Sequence, residues 1–192
     1  MKARRAVVVA VVLAAVVSGV LVIVFRSPRV DAELRDPNPA VRAAAVRRLN
    51  VDSDADRLLS SLKDDDSDVR LLSAMRLGAR PSGKPGIGAE RKAPALIEAL
   101  KDRHAGVRRA AAESLGELWP ATEKALTEAL TDSDPRVRAG AAFALSWAPN
   151  GMSGREVTAA QAEPLLPLLH DLLNDEDSEV RQNAARALEQ IR

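Results

Sequence analysis

The stretch LTDSDPRVRAGAAFAL, residues 130–145, has four counterparts elsewhere in the same chain. All five share Leu-x-Asp, a short polar residue or His three positions before a Val-Arg pair, a small residue four positions after the Val, and Leu eight positions after it. The stretches begin at residues 34, 62, 100, 130 and 173. A pattern that recurs at such intervals is typical of repeat proteins, in which each repeat forms one small unit that stacks on its neighbours.

Each stretch predicts a turn followed by a helix. In four of the five, the residue three positions before the Val is Asn or Asp, whose side chain accepts hydrogen bonds from the free N–H groups of a first helical turn. Pro39 and Pro135 follow at the first helical position, where the missing N–H costs nothing. Before each turn, apolar residues three and four positions apart indicate another helix. The five stretches therefore predict an all-α chain of about five helix pairs.

The first and last helix pairs carry two more specific expectations. The first pair has room for only a short first helix, because VDAEL at residues 30–34 separates its turn from the apolar segment described below. In the last pair, Pro164 and Pro167 are compatible with a helix only if it begins near Glu163, because a proline in the helix interior removes a backbone hydrogen bond.

The arginine that follows each Val is predicted to be partly buried. At about 100° per residue it shares one helical arc with the Val, the small residue and the Leu, so it points toward the side that packs. An unpaired charge would be costly there. An aspartate lies six residues before each arginine, in the preceding turn, so we expect a ladder of Asp–Arg hydrogen bonds that joins successive turns. The pairs in sequence are Asp36 and Arg42, Asp64 and Arg70, Asp102 and Arg108, Asp132 and Arg138, and Asp175 and Arg181.

The stretch ALIEALKDRHAGVRRAAAESLGEL, residues 95–118, resembles a HEAT repeat of the phycobilisome-lyase type. The resemblance covers residues 32–192 and departs from the family pattern in two long spacings, in His104 at a helix start and in Ser73 at the small position. It implies an α-solenoid, a right-handed stack of antiparallel helix pairs whose second helices line one curved face. The resemblance also raises enzymatic relatives, because some HEAT proteins attach or isomerise bilins and HEAT-like DNA glycosylases use a basic face.

A membrane anchor is predicted before the repeats. Residues 6–25 contain no charged side chain, and as a helix they would span about 30 Å, the thickness of a bilayer's hydrocarbon core. We therefore expect residues 1–29 to form a cytoplasmic tip and a transmembrane helix, and residues 30–192 to form the HEAT-repeat domain. Basic residues before the segment outnumber those after it, which predicts a single-pass cytoplasmic (inner) membrane protein with its C-terminal domain outside the cytoplasm. Secretion after signal cleavage remains the alternative.

No catalytic, metal or cofactor site is predicted. The chain has two histidines and no cysteine, so a His-Cys metal cluster or a thiol nucleophile is excluded. GARPSGKP, residues 78–85, matches part of a phosphate-binding loop, but Pro85 stands where the motif needs Ser or Thr. Without the five basic residues that flank the apolar segment, 23 basic residues face 27 acidic ones, which argues against nucleic-acid binding.

Residues two and six positions after each Val are predicted to face outward and to contact a protein partner. Most solvent-facing helix positions are charged, whereas these columns contain apolar and aromatic residues beside charged ones, a composition typical of binding hot spots. For Phe143 and Trp147 the alternative is that the insertion at residues 148–158 covers them and makes them core, and Trp119 is interpreted as structural. The candidate partner-binding residues are Leu71, Met75, Arg109, Glu113, Ala139, Phe143, Trp147 and Arg186.

These observations predict a membrane-tethered HEAT-repeat scaffold or adaptor that binds a protein through its second-helix face, without catalysis. Two alternatives remain open at this point. In the first alternative, the chain is a chromophore-lyase-like or other enzymatic HEAT relative. In the second, the helical stack only spaces or stiffens another component at the membrane.

Overall fold

The computed structural model describes residues 28–79, 88–147 and 157–191, and in these ranges it consists of helices joined by turns, with no strand among them. First and second helices alternate along the chain. The helices are α1 Pro28–Glu33, α2 Pro39–Arg48, α3 Ala55–Ser61, α4 Ser67–Gly78, α5 Ala89–Ala99, α6 Ala105–Glu117, α7 Glu123–Ala129, α8 Pro135–Trp147, α9 Ala159–Leu172 and α10 Ser178–Gln190. The predicted all-α fold of about five helix pairs is confirmed for the described residues.

The helix pairs stack in chain order. The second helices pack side by side from α2 to α10, while α3, α5, α7 and α9 form a second layer. The predicted short first helix is confirmed, because α1 spans six residues and contacts α2. The repeated Val is fully buried in the last four repeats but only partly buried at Val41, in the repeat that α1 alone covers. The core between the layers therefore follows the repeated apolar positions.

The second helices begin at the predicted polar residues. Asn38 accepts a hydrogen bond from the backbone N–H of Ala40, and Asp66 and Asp177 each accept two from the first turn of their helices. His104 makes no capping hydrogen bond through its side chain, and its own backbone N–H donates to the Asp102 carboxylate at 2.8 Å. The chain thus forms the same turn whether or not the capping side chain takes part.

The predicted start of α9 near Glu163 is wrong. The helix begins at Ala159, where the Thr158 side chain and Gln161 form a reciprocal capping box, and both Pro164 and Pro167 lie inside it. Each proline deprives a carbonyl four residues earlier of its donor. Those carbonyls belong to residues 160 and 163, which are exposed, so water can satisfy them.

The predicted ladder of arginine and aspartate joins successive turns at three steps, but the predicted pairs are wrong, because the carboxylate comes from the following repeat and not from the aspartate six residues before the arginine. Each arginine donates from Nε and Nη2 to one carboxylate, as in Arg70 with Asp102 at 2.7 and 3.0 Å. Its Nη1 donates to the carbonyl of the aspartate in its own turn, at 2.8 Å from Arg70 to Asp64. The other two steps are Arg42 with Asp64 and Arg138 with Asp175. This geometry connects each turn to the next through two parallel charge-assisted hydrogen bonds.

The predicted membrane segment at residues 6–25 lies outside the described residues, as do most of the two insertions. Among the helices of residues 28–79, 88–147 and 157–191, none combines the length and apolar character needed to cross a bilayer.

Lys92 on α5 is buried without a hydrogen-bond partner for Nζ. Burial lowers the pKa of Lys92 below its ordinary value, and Asp52 opposes that shift only in part. Lys92→Met should therefore raise the free energy of unfolding by about 1–3 kcal/mol at neutral pH. The change replaces a buried polar group that has no hydrogen-bond partner with an apolar side chain of similar volume. Urea denaturation of both proteins in neutral detergent would measure the gain.

The same pair of proteins should differ less at high pH. Because the folded-state pKa of Lys92 lies below the ordinary 10.5, the unfolded wild-type chain binds more protons between those two pKa values, and wild-type stability rises with pH through that window. The advantage of Lys92→Met is expected to be largest below the folded-state pKa and to shrink as the pH approaches 10.5. A gain that stays constant across this range would contradict the account.

Candidate functional site

A groove runs across the second helices α6, α8 and α10 and encloses about 420 Å³. Its base contains the small residues Ala112, Ala139 and Gly140, and the aromatic ring of Phe143 lies beside them. We call this feature the α6–α8–α10 groove. Its remaining lining residues are Ala105, Arg108, Arg109, Arg136, Glu179, Gln182, Asn183 and Arg186.

Small residues let α8 pack closely on its neighbours. A Cβ added to Gly140 would meet the side chain of Leu100, at the end of α5, within 3 Å, so this position needs glycine because of the close approach. Asn183 on α10 is 5% exposed and donates from Nδ2 to the carbonyl of Ala139 at 3.1 Å. This hydrogen bond joins α10 to α8 at the base of the groove.

The groove brings four of the eight predicted partner-binding residues together, namely Arg109, Ala139, Phe143 and Arg186. Glu113 lies next to it, because its carboxylate accepts a hydrogen bond from Nε of Arg109 at 2.8 Å. These five positions come from three successive second helices, which the stacking aligns.

The other three predicted residues lie outside the groove. Trp147 stacks on Phe143 with ring centroids 6.2 Å apart, and its Nε1 donates to Glu117 at 3.1 Å. Leu71 and Met75 lie on α4, where Leu71 packs partly against the core and Met75 is 54% exposed. Met75 is thus the most exposed of the predicted apolar residues on the second helices.

The prediction that the column two after the Val faces outward is wrong for Ala139, which is 3% exposed. Neighbouring second helices pack so closely that this column lies at their seam, and Ala43 in the first repeat is buried in the same way, at 7%. Long side chains at the same position, such as Arg109, extend out of the seam into solvent. A helical wheel of one helix gives the correct direction of the side chain, but it does not show that the next helix in the stack covers that side.

Phe143 and Trp147 are partly buried rather than fully exposed. Phe143 packs against the core, and the guanidinium of Arg109 lies 5.9 Å from the centre of its ring, within the range of a cation–π contact. The expectation that the insertion covers these two rings falls mostly on residues 148–156, which the structure does not describe. Trp119 is 1% exposed, which confirms its structural role.

Sequence reasoning missed Arg108 and Arg136 as groove residues. The sequence pattern places Arg108 only in the ladder, and Arg136 belongs to the column directly before the Val. That column also contributes Glu179 to the groove. The column directly before the Val, taken together with the columns two and six positions after it, would have identified Arg136.

The charges of the groove are unevenly paired. Arg136 binds the carboxylate of Asp134 at 2.7 Å, a contact that holds the pKa of Asp134 below its usual range and raises the pKa of Arg136. Arg109 is paired with Glu113, as described above. Arg108 and Arg186 have no carboxylate partner among the described residues. Glu179 is the single acidic residue that lines the groove in the described part of the chain.

No metal-binding constellation accompanies the groove. Within residues 28–79, 88–147 and 157–191, no three His, Cys, Asp or Glu side chains are grouped so that they could hold a metal ion.

The stacked helix pairs and the groove on the second helices define a helical-repeat solenoid, a class of protein whose extended faces bind other molecules. The particular family follows from the repeat itself. The chain belongs to the HEAT-repeat family, because the family model for HEAT repeats matches residues 28–116, 55–146, 93–162 and 124–192. A HEAT-repeat scaffold of this kind is suited to protein binding.

Two similar solved structures are a lyase complex, which shows the same fold, and a designed repeat protein. The complex of CpcE and CpcF of phycocyanin lyase from Nostoc sp. PCC7120 matches with a TM-score of 0.52 and 24% identity, over 84% of this chain and 96% of that chain. A designed armadillo repeat protein in complex with the peptide (KR)4 matches with a TM-score of 0.45 and 19% identity, over 85% of this chain and 80% of that chain. No curated protein matches this chain in sequence.

Proposed function

We propose that this HEAT-repeat protein is a non-catalytic scaffold or adaptor that binds a protein partner through its second-helix face while residues 6–25 tether it to the membrane. The observation that carries the proposal is the α6–α8–α10 groove, where the partly buried ring of Phe143 lies among arginines. Arginine and aromatic side chains in a concave, partly desolvated setting are the residue types that dominate binding energy at protein interfaces. Met75, in the same column of α4, extends this face with an exposed apolar side chain.

The chemistry of the groove supports binding over catalysis. Its described lining residues are arginines, small residues, two amides, one phenylalanine and one glutamate, so they include no nucleophile paired with a general base. The similarity to the phycocyanin lyase complex is a similarity of fold at 24% identity. A chromophore recovered in stoichiometric amount with the purified full chain would defeat the scaffold proposal.

The tether is supported by the sequence of residues 6–25, which is uncharged and long enough to span a bilayer. The basic excess before it favours an orientation with the repeats outside the cytoplasm. A reporter enzyme that is active only outside the cytoplasm, fused after Arg192, should then be active. Activity of a cytoplasm-only reporter at the same position would contradict this orientation.

Site-specific photo-cross-linking in washed membranes tests the binding face. A photoreactive amino acid at Met75 should capture a discrete protein partner, whereas the same amino acid at Lys124 should not, because Lys124 lies on the first helix α7 with 91% of its side chain exposed. Arg186→Glu should reduce capture at Met75 about tenfold, as expected for loss of one interface hot spot. Lys124→Glu, which reverses a charge in the first-helix layer, is the matched control.

Two results would contradict the proposed binding face. One is equal capture at Met75 and Lys124, which would mean that contact does not depend on the second helices. The other is an equal loss of capture from Arg186→Glu and Lys124→Glu, which would mean that net charge alone governs the interaction.

A further inference from the structure

The ladder of arginine and aspartate is interrupted at Arg108. Like the other ladder arginines, Arg108 donates from Nη1 to two carbonyls of its own turn, those of Asp102 at 2.9 Å and Arg103 at 3.3 Å. These contacts hold the guanidinium in the place that the fold gives it in every repeat. No hydrogen bond joins Arg108 to Asp132, the aspartate of the following repeat, in the described part of the chain.

The unpaired atoms of Arg108 are those that bind a carboxylate elsewhere in the ladder. At Arg42, Arg70 and Arg138 the Nε and Nη2 atoms hold one aspartate carboxylate of the next repeat, at 2.7–3.0 Å. At Arg108 these two donors have no partner among the described residues, and the side chain lines the α6–α8–α10 groove. The fold therefore presents a positioned guanidinium fork, open to a ligand, at a described step between two successive repeats that the chain does not fill.

The surroundings of Arg108 favour a negatively charged ligand. Arg186 on α10 also lacks a carboxylate partner in the described residues, and Arg136 and Arg109 add two more positive charges to the groove. Asp134 and Glu113 offset the last two by pairing with them, and Glu179 also lines the groove, so four arginines stand against three carboxylates. The repeat region as a whole has more acidic than basic residues, so the groove is a local exception to the charge of the domain.

We propose that the α6–α8–α10 groove binds an acidic segment of the protein partner, with one carboxylate on Nε and Nη2 of Arg108 and an adjacent apolar side chain against Phe143. This inference rests on the proposed function and specifies the chemistry of the partner. The partner's carboxylate takes the place that Asp102 occupies on Arg70, and a second carboxylate binds Arg186. The fork geometry makes arginine selective for such planar, two-oxygen groups.

A protein segment fits the groove better than a nucleic acid does. Nucleic-acid binding relies on many phosphate contacts over an extended basic surface, whereas this positive region is confined to one groove of about 420 Å³. The partly buried ring of Phe143 and the small residues beneath it offer an apolar contact for a side chain. Both features match a short peptide with alternating acidic and apolar groups.

The test uses the full chain in neutral detergent and three labelled probes, with binding followed by fluorescence anisotropy. The probes are the pentapeptide Glu-Glu-Phe-Glu-Glu, its counterpart Gln-Gln-Phe-Gln-Gln, and a five-nucleotide oligothymidylate. The acidic peptide should bind at least tenfold more tightly than either of the others. Raising the salt concentration should weaken its binding, because the contacts are ionic.

Arg108→Gln should weaken binding of the acidic peptide at least tenfold. The matched control is Arg181→Gln, because Arg181 on α10 makes the same two backbone contacts, at 2.6 and 2.9 Å, but lies outside the groove. Its effect on peptide binding should be less than twofold. Arg108→Lys keeps the charge but not the fork, so it should also weaken binding, and it replaces Arg108→Gln in the comparison if that variant does not fold.

Three results would overturn the proposal: absence of binding by the acidic peptide, an equal loss from the Arg181 and Arg108 variants, or oligothymidylate binding as tight as that of the peptide. Its failure is distinguishable from failure of the scaffold proposal. Partner capture from Met75 that persists in Arg108→Gln, together with absent peptide binding, overturns the acidic segment and leaves the scaffold in place. Absence of capture in the wild type contradicts the scaffold itself.

Discussion

Arg70→Ala should lower the free energy of unfolding by about 3–5 kcal/mol, the range for removing one partner of a buried ion pair. Arg70 is 6% exposed, and it holds the Asp102 carboxylate with two hydrogen bonds while its Nη1 binds the carbonyls of Asp64 and Asp65. Alanine would leave a partly buried carboxylate and two carbonyls without these donors. Urea denaturation of the full chain in neutral detergent would measure the loss.

Arg181→Ala is the matched control for this change. Arg181 makes the corresponding contacts with the carbonyls of Asp175 and Glu176, but it is exposed and holds no carboxylate among the described residues. Its replacement should cost about 1 kcal/mol or less, as for most exposed positions. Equal losses from the two variants would show that the backbone contacts, and not the pairing between repeats, account for the stability.

The effect of Arg70→Ala should also depend on pH. Burial alone would raise the pKa of Asp102, but hydrogen bonds from Arg70 and from the backbone N–H of His104 hold this pKa below its ordinary 3.8. A carboxyl with a depressed folded-state pKa stabilises the fold above the unfolded-state pKa and loses that contribution as the pH falls through the folded-state value. The gap between wild type and Arg70→Ala should therefore narrow as the pH falls below 3.8.

Gly78→Ala should destabilise the stack by about 3 kcal/mol, at the upper end of the usual cost of overpacking. A Cβ on Gly78 would lie 2.6 Å from the Cα of Ser114, so the change meets backbone and not only a side chain that can rotate away. Because α4 and α6 pack directly on each other, these helices would have to separate. The hydrogen bond from the Ser114 hydroxyl to the carbonyl of Ala74, 2.8 Å long, would be strained with them.

Gly106→Ala is the control for the glycine prediction. Its added Cβ would meet only the His104 ring, at 3.1 Å, and the tip of Leu71. The His104 side chain caps no helix, so it can move. The expected change in unfolding free energy is within about 0.5 kcal/mol of zero. Loss of stability by a similar amount in both variants would indicate a general cost of replacing helical glycines here.

Much of the fold could be read from local residue patterns. The Val and Leu columns, the Asn and Asp helix caps and the number of helix pairs follow from spacing alone, because each repeat forms similar contacts with its neighbours. The start of α9 could not be read in this way. Prolines argue against an earlier start, but the capping box at Thr158 and the exposed carbonyls of the first turns outweigh them.

The candidate site was predictable in part. The columns two and six after the Val place Arg109, Phe143 and Arg186 on the second helices, and the structure brings them into one groove. The burial of Ala139 and the membership of Arg136 depend on how closely neighbouring helices pack. That distance is set by small residues on several helices together, so no single repeat reveals it.

The sequence by itself determined the repeat, the order of first helix, turn and second helix within it, and the need for a carboxylate near each buried arginine. These features depend on residues that are close together in the chain. Only the tertiary structure decided which carboxylate each arginine binds. The partner comes from the following repeat, 22 residues away for Arg42 and 37 for Arg138, and Arg108 has none among the described residues. Such pairing depends on the stacking of one repeat on the next, and for the same reason the open groove at Arg108 becomes visible only once the repeats are assembled.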